Sequence, residues 1–193
     1  MRSEIPRVPA APPAKPRERR RVVACVTDGA RDPRRARLLV LLHADEPGLL
    51  PQLPGGTLEP GEPVGPAGLR EAVEETGLER LRPVGYLGTR CIEPARSLCA
   101  QTLDTRFVHL ECPHPTPVRW PSLEATPHGG GPPVPYECVW VPLASPGPMD
   151  ARDALALPLV RASLARAGLR RRPDRDGRAA PVRAAVARTR SRT

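Results

Sequence analysis

Apolar positions fall in short runs separated by proline- and glycine-rich breaks, and the runs show two periods. Arg21 to Thr27 (RVVACVT) and Arg37 to His43 (RLLVLLH) are near-continuous apolar runs of strand length, the second apolar enough for a central strand. Between them Asp28 to Arg35 is a polar turn with Gly29 and Pro33. Asp45 to Leu50 is a loop, and Gln52-Leu53 is a short strand that enters a tight turn. Leu81 to Thr89 predicts a strand interrupted by Pro83 and Gly85, and Thr102 to Cys112 (TLDTRFVHLEC) alternates as a strand does. Pro113 to Pro135 reads as a long loop containing Trp120, Glu124 and the Gly129-Gly130-Gly131 run. A loop of that length inside a compact domain usually carries function or is disordered. Tyr136 to Leu143 (YECVWVPL) predicts the last strand. Helical periodicity occurs at Leu69–Thr76 and again at Asp150–Leu169, where Leu155, Leu159 and Leu164 are among the apolar positions. No internal repeat is visible.

The stretch from Leu53 to Leu78 concentrates the candidate chemistry. At about 100° per residue, Leu69, Ala72, Val73 and Thr76 share one arc and predict the buried face of the first helix. Glu71, Glu74 and Glu75, at i, i+3 and i+4, fall on the opposite arc. Three carboxylates on one short face repel one another unless a cation sits among them. Hard oxygen donors without His or Cys suit Mg²⁺ or Mn²⁺. Arg70 lies four residues before Glu74, within reach of an ion pair. Pro63 and Pro66 sit in or just before the first turn, where a missing N–H costs little, and Gly77 can terminate the helix in the left-handed region. Gly55-Gly56 makes a turn whose backbone can approach a ligand closely.

The spacing runs Gly56, five residues, Glu62, seven residues, Arg70-Glu71-Ala72, then Glu74-Glu75 and Gly77-Leu78. This pattern resembles the Nudix box, the signature of hydrolases that cleave nucleoside diphosphates linked to another group. The resemblance implies a Nudix-type α/β/α sandwich over residues 21–169, a mixed β-sheet with the box helix on one side and the C-terminal helix on the other. It implies Mg²⁺ or Mn²⁺ held by Glu71, Glu74 and Glu75, with the Gly55 carbonyl as a further oxygen and Glu62 at the edge of the site. Arg70 would orient the glutamates, and Glu74, Glu75 and Arg70 form the catalytic set. The general base is not fixed by the family. Glu75 is one candidate; Glu111, Glu124, His114 and His128, in or beside the long loop, are alternatives. Pro94, sixteen residues beyond Leu78, matches the place of a proline in family members that use ADP-ribose. Of the few aromatics, Trp120 is the candidate to stack on a substrate base and Trp140 reads as core.

Composition changes the picture mainly at the ends. The chain has 193 residues and a net charge of +9, but the first 21 residues carry +5 and residues 170–193 carry +7, which leaves a mildly acidic −3 between them. The flanks, 1–20 and 170–193, therefore read as disordered basic tails around one domain at 21–169, solvated rather than built to bind nucleic acid. Five cysteines without CxxC spacing exclude a disulfide framework or zinc site, and Cys25 and Cys138 read as core. No apolar run has transmembrane length and no signal core opens the chain, so the expected compartment is the cytoplasm and no membrane partner is expected. The leading expectation is a metal-dependent hydrolase of nucleoside triphosphates, oxidised nucleotides or nucleotide sugars such as ADP-ribose, compatible with a homodimer. A non-catalytic nucleotide-binding module and an RNA-end-processing protein using its tails are the alternatives.

Overall fold

The structure, a computed structural model, describes residues 19–92, 103–127 and 130–169. The predicted tails, apart from Arg19 and Arg20, lie outside these residues, as do Pro94, Cys99, His128 and Gly129. Six strands form one mixed sheet: β1 (Arg19–Thr27), β2 (Arg37–His43), β3 (Arg82–Ile92), β4 (Leu103–Glu111), β5 (Arg119–Glu124) and β6 (Val134–Pro142). Their order across the sheet is β3-β4-β1-β2-β6-β5. β1 and β4 are parallel, from Arg19 beside Leu103 to Thr27 beside Glu111; every other pair is antiparallel. Helix α1 (Val64–Thr76) and helix α2 (Leu157–Leu169) complete the fold.

β1 is buried on both faces, which is why its sequence does not alternate. Val22, Ala24 and Val26 join Leu39, Leu41, Val108 and Leu110 in a core that includes Ala67 and Ala72 of α1. Val23 and Cys25 point the other way, into a core with Leu38, Val40, Phe107 and Leu143 that Ala156, Val160 and Leu164 close. The two helices thus cover opposite faces of the sheet, as the resemblance implied. Cys25, Cys138 and Trp140 are buried as expected. Among the described residues, no helix is long and apolar enough to cross a membrane.

Several boundaries differ from the sequence reading for local reasons. α1 begins at Val64, earlier than Leu69, because Pro63 caps it in an extended conformation and Pro66 sits harmlessly in the first turn. The predicted second helix is divided. Asp153–Ala156 is a 3-10 turn, and α2 starts at Leu157. Pro158 has no N–H to give to the Ala154 carbonyl, which Leu157 takes instead. Leu155, expected inside, is exposed, while Ala156 and Val160 are buried. Pro83 and Gly85 do not end β3; they coincide with register shifts in its pairing with β4.

The stretch read as one long loop contains β5. Arg119 to Glu124 alternates between exposed and half-buried positions and pairs along its length with β6 at the sheet edge, where Pro121 is tolerated. β5 also braces α1: Trp120 Nε1 donates to the Thr76 carbonyl at 2.9 Å and Ser122 Oγ donates to the Glu75 carbonyl. These carbonyls belong to the last turn of the helix, which has no intrahelical partners for them.

His109 links β4 to β1 and α2. It is fully buried, with Nε2 hydrogen-bonded to Thr27 Oγ1 and Nδ1 to Ser163 Oγ, both at 2.9 Å. Burial disfavours the imidazolium and lowers its pKa from 6.5 to about 4. The unfolded chain therefore binds a proton over that window that the folded chain refuses. Stability should fall as pH drops from 6.5 to 4, by about 3 kcal/mol at the lower limit. Urea denaturation across this range should show that component in the wild type and lose it in His109→Gln.

Candidate active site

The site forms where the segment before α1 passes between β1 and the helix. Pro54 and Gly56 give their carbonyls to Ala24 N–H (2.8 Å) and Val22 N–H (2.9 Å), so Leu53–Thr57 runs beside the first half of β1. No hydrogen bond among the described residues takes the Gly55 carbonyl. The Gly55 N–H donates to Glu75 Oε2 at 2.7 Å. A Cβ on Gly56 would strike the Glu71 carboxylate, so glycine is what permits this contact.

The three box glutamates do not share a solvent face. Glu71 and Glu75 lie on the buried side of α1 with Ala67, Gly68, Ala72 and Thr76, while the expected core residues Leu69 and Val73 are half-buried. Small side chains make this arrangement fit. A Cβ on Gly68 would overlap Val108, so the helix presses close to the sheet there, and the longer glutamates turn along the sheet toward Gly55-Gly56. Glu74 stays at the rim, with 53% of its side chain exposed.

Arg70 gathers the carboxylates. Its Nε and Nη2 each lie 3.0 Å from a Glu62 carboxylate oxygen in a bidentate pair. Its Nη1 donates to Glu71 at 2.9 Å and to Glu74 at 3.2 Å. The hydrogen bond from Arg70 holds Glu62 below the usual carboxylate range. Glu71 and Glu75 move the other way. Burial raises Glu71 against the pull of Arg70, with Glu74 and Glu124 adding repulsion. Burial raises Glu75 well above its ordinary value; the Gly55 N–H and Arg21 oppose the shift while Glu124 and Glu71 reinforce it.

Glu124 is therefore part of this cluster, carried there by β5. Tyr136 connects it to the neighbouring strands: its hydroxyl donates to Glu124 Oε2 at 3.4 Å and accepts from Gln52 Nε2 at 3.3 Å. Of the other bases considered, Glu111 and His114 lie at the opposite end of the sheet, next to Thr27 and Cys112. Trp120, the expected stacking residue, is committed to the Thr76 carbonyl and leans on Trp140. The aromatic wall beside the carboxylates is instead Tyr136, edge-on to His43. The two line a cavity of about 480 Å³ with Ala44, Leu49, Pro121 and Glu137.

Among the described residues, no three His, Cys, Asp or Glu side chains converge ready to hold a metal ion. The hydrogen bonds explain why: Arg70 draws Glu62, Glu71 and Glu74 to itself, and Gly55 holds Glu75. The donor set still fits a hard divalent cation. It is all oxygen, and its two buried carboxylates repel each other in a low-dielectric setting.

A family model described as the NUDIX domain matches residues 17–154. No curated protein matches the chain. Among solved structures the chain is similar to the NUDIX domain of Shewanella oneidensis NrtR complexed with ADP ribose, at 17% identity over 81% of this chain and 94% of that one, TM-score 0.53. It is similar to a Nudix hydrolase from M. smegmatis, RenU, at 16% identity over 77% and 87% of the two chains, TM-score 0.52. It is also similar to a UDP-X diphosphatase, at 14% identity over 85% and 68%, TM-score 0.51. At these identities the likeness is one of fold.

The glycine pair sets a stability test. A Cβ on Gly55 would overlap the Val22 carbonyl oxygen and crowd the Val23 Cα, both backbone atoms that cannot turn aside. Gly55→Ala should cost about 3 kcal/mol in urea denaturation. Gly48→Ala, at a glycine with open space around it and no left-handed backbone, is the comparison and should change stability little.

Proposed function

The chain belongs to the Nudix hydrolase family, and we propose that it hydrolyses a phosphoanhydride bond in nucleoside diphosphate derivatives with the help of a divalent cation. The observation that carries this reading is the pair of buried carboxylates, Glu71 and Glu75, held against an open glycine backbone with Glu124 beside them. Burying mutually repelling carboxylates is costly for a fold and makes sense where a cation and a polyanion are brought together.

Glu71, Glu74 and Glu75 would hold Mg²⁺ or Mn²⁺, the Gly55 carbonyl would add an oxygen, and Glu62 would sit at the edge. When bound, such a cation offsets the charge of the diphosphate and makes a water molecule more acidic. Arg70 positions the set by spanning Glu62, Glu71 and Glu74. Glu75, buried and raised in pKa, is suited to accept a proton from water, and Glu124 is the neighbour able to share that task. The cavity lined by His43 and by Tyr136, whose hydroxyl binds Glu124, has room for a nucleoside. The described domain, bounded by β1 and α2, would carry the activity, with the basic flanks dispensable for it.

The test is release of phosphate, pyrophosphate or nucleoside monophosphate from a panel of nucleoside triphosphates, oxidised nucleotides, ADP-ribose and UDP-sugars. ADP-ribose belongs in the panel because it is the ligand named for the similar NrtR domain. Turnover should require Mg²⁺ or Mn²⁺ and should fall at least about a hundredfold in Glu75→Gln with far-UV circular dichroism unchanged. Wild type without turnover but with nucleotide binding would assign a binding module instead.

The same carboxylates give a second readout. Without metal, Glu71→Gln and Glu75→Gln should melt at or above the wild-type temperature, since each removes a buried charge. Mg²⁺ should raise the melting temperature of the wild type and have little effect on the double variant. A metal-independent melting temperature for the wild type would count against the cation site.

A further inference from the structure

On the side of Gly55-Gly56 toward the start of β1 and the turn before α2 lies a second, smaller cavity of about 160 Å³. Its lining is Arg19, Arg21 and Arg152 with Leu103 and the two glycines; among the described residues, no carboxylate lines it. Arg19 and Arg21 are two apart on β1 and so share one face of the strand. Arg152 arrives from the turn before α2. Three arginines from two separate elements thus line one cavity with a glycine floor.

Two of these arginines are held by carboxylates that are not part of the lining. Buried Asp153 accepts from Arg21 Nη1 at 2.6 Å and from the Leu53 N–H at 2.8 Å, so one side chain fixes both Arg21 and the entry to the glycine turn. Asp150 accepts from Arg152 Nε and Nη2 at 2.9 Å. Arg19 donates to the Thr57 hydroxyl at 3.0 Å and, among the described residues, has no carboxylate partner. Pairing of this kind fixes guanidinium orientation at low entropic cost, the condition for forked recognition of phosphate oxygens.

We propose that this arginine pocket is an anion subsite that takes a phosphoryl group of the substrate lying outside the bond that is cut. It rests on the reading of the carboxylate cluster as the diphosphate site, with which it shares its floor: Glu75 binds the Gly55 N–H and Glu71 packs on Gly56. The pocket has a third of the volume of the cavity beside Tyr136 and suits a phosphoryl group rather than a nucleoside. The favoured substrates are then those with a further phosphate, nucleoside triphosphates or dinucleoside polyphosphates, over diphosphates capped by a neutral sugar.

The direct test is calorimetric binding of inorganic pyrophosphate to the full chain with divalent ions chelated. Arg19→Gln and Arg152→Gln should each weaken binding about tenfold, the loss expected for one charge-assisted contact. Glu75→Gln should bind as well as the wild type or better. Arg19 is exposed at the start of its strand, so its variant should keep the wild-type circular dichroism. Equal affinity in the wild type and both arginine variants, or no pyrophosphate binding by the wild type, overturns the subsite. In turnover assays, Arg19→Gln should raise KM for a nucleoside triphosphate and leave KM for a UDP-sugar unchanged; an equal rise for both overturns the stated preference. Binding lost in the arginine variants without turnover of any nucleotide would uphold the subsite and sink the hydrolase reading, and the reverse pattern would do the opposite.

Discussion

Two carboxylates on the inward side of α1 constrain the rest of the structure. Glu71 and Glu75 are 7% and 4% exposed, on a helix whose other inward residues are glycine, alanine and threonine. Ionised groups at that depth need compensation. Part of it is visible in Arg70 and in the Gly55 N–H. Gly56 has no side chain because the Glu71 carboxylate occupies that space, and Gly68 has none because Val108 does. The glycine turn, the small-residue seam and the single arginine are consequences of where those two carboxylates lie.

β1 supplies the frame for this arrangement. Its central residues are buried on both sides and lock the two helices to one strand. Its N-terminal half, less buried, holds the glycine segment by backbone hydrogen bonds and carries Arg19 and Arg21. Asp153 extends the frame across the molecule, since a single buried carboxylate contacts both β1 and the residue before the turn. The site is thus positioned by backbone pairing and one long-range ion pair.

What the sequence revealed follows from how local each feature is. The box residues were readable because Arg70, Glu71, Glu74 and Glu75 lie within two turns of one helix. The central strands were readable because burial on both faces leaves an apolar run. The inward face was only partly assigned: Ala72 and Thr76 are buried as the periodicity predicts, but Glu71 and Glu75 share their side because a periodicity argument treats glutamate as a solvent residue; only the Gly55-Gly56 turn, brought alongside by pairing with β1, makes the inward side polar. β5 was hidden by Pro121, which an edge strand tolerates. Glu124, Tyr136 and Gln52 meet from three separate segments, as do Arg21, Asp153 and Leu53. No spacing rule reports such meetings. A tyrosine or an arginine within an otherwise apolar strand was the one available signal.

The arrangement also has a direction. On the α1 side of the glycine turn four carboxylates, Glu62, Glu71, Glu74 and Glu75, outnumber the one guanidinium of Arg70, and on the other side the lining is Arg19, Arg21 and Arg152. Either cluster alone would repel one class of ion and attract the other. Placed side by side they would suit the proposed ligand, which carries its own charge gradient: a diphosphate reached through a cation at one end and a free phosphoryl group at the other. Arg21 participates in both halves, because its charge opposes the raised pKa of Glu75 while its guanidinium lines the arginine pocket. The two clusters are therefore electrostatically coupled, and if each binds its proposed ion, neutralising one would change the affinity of the other.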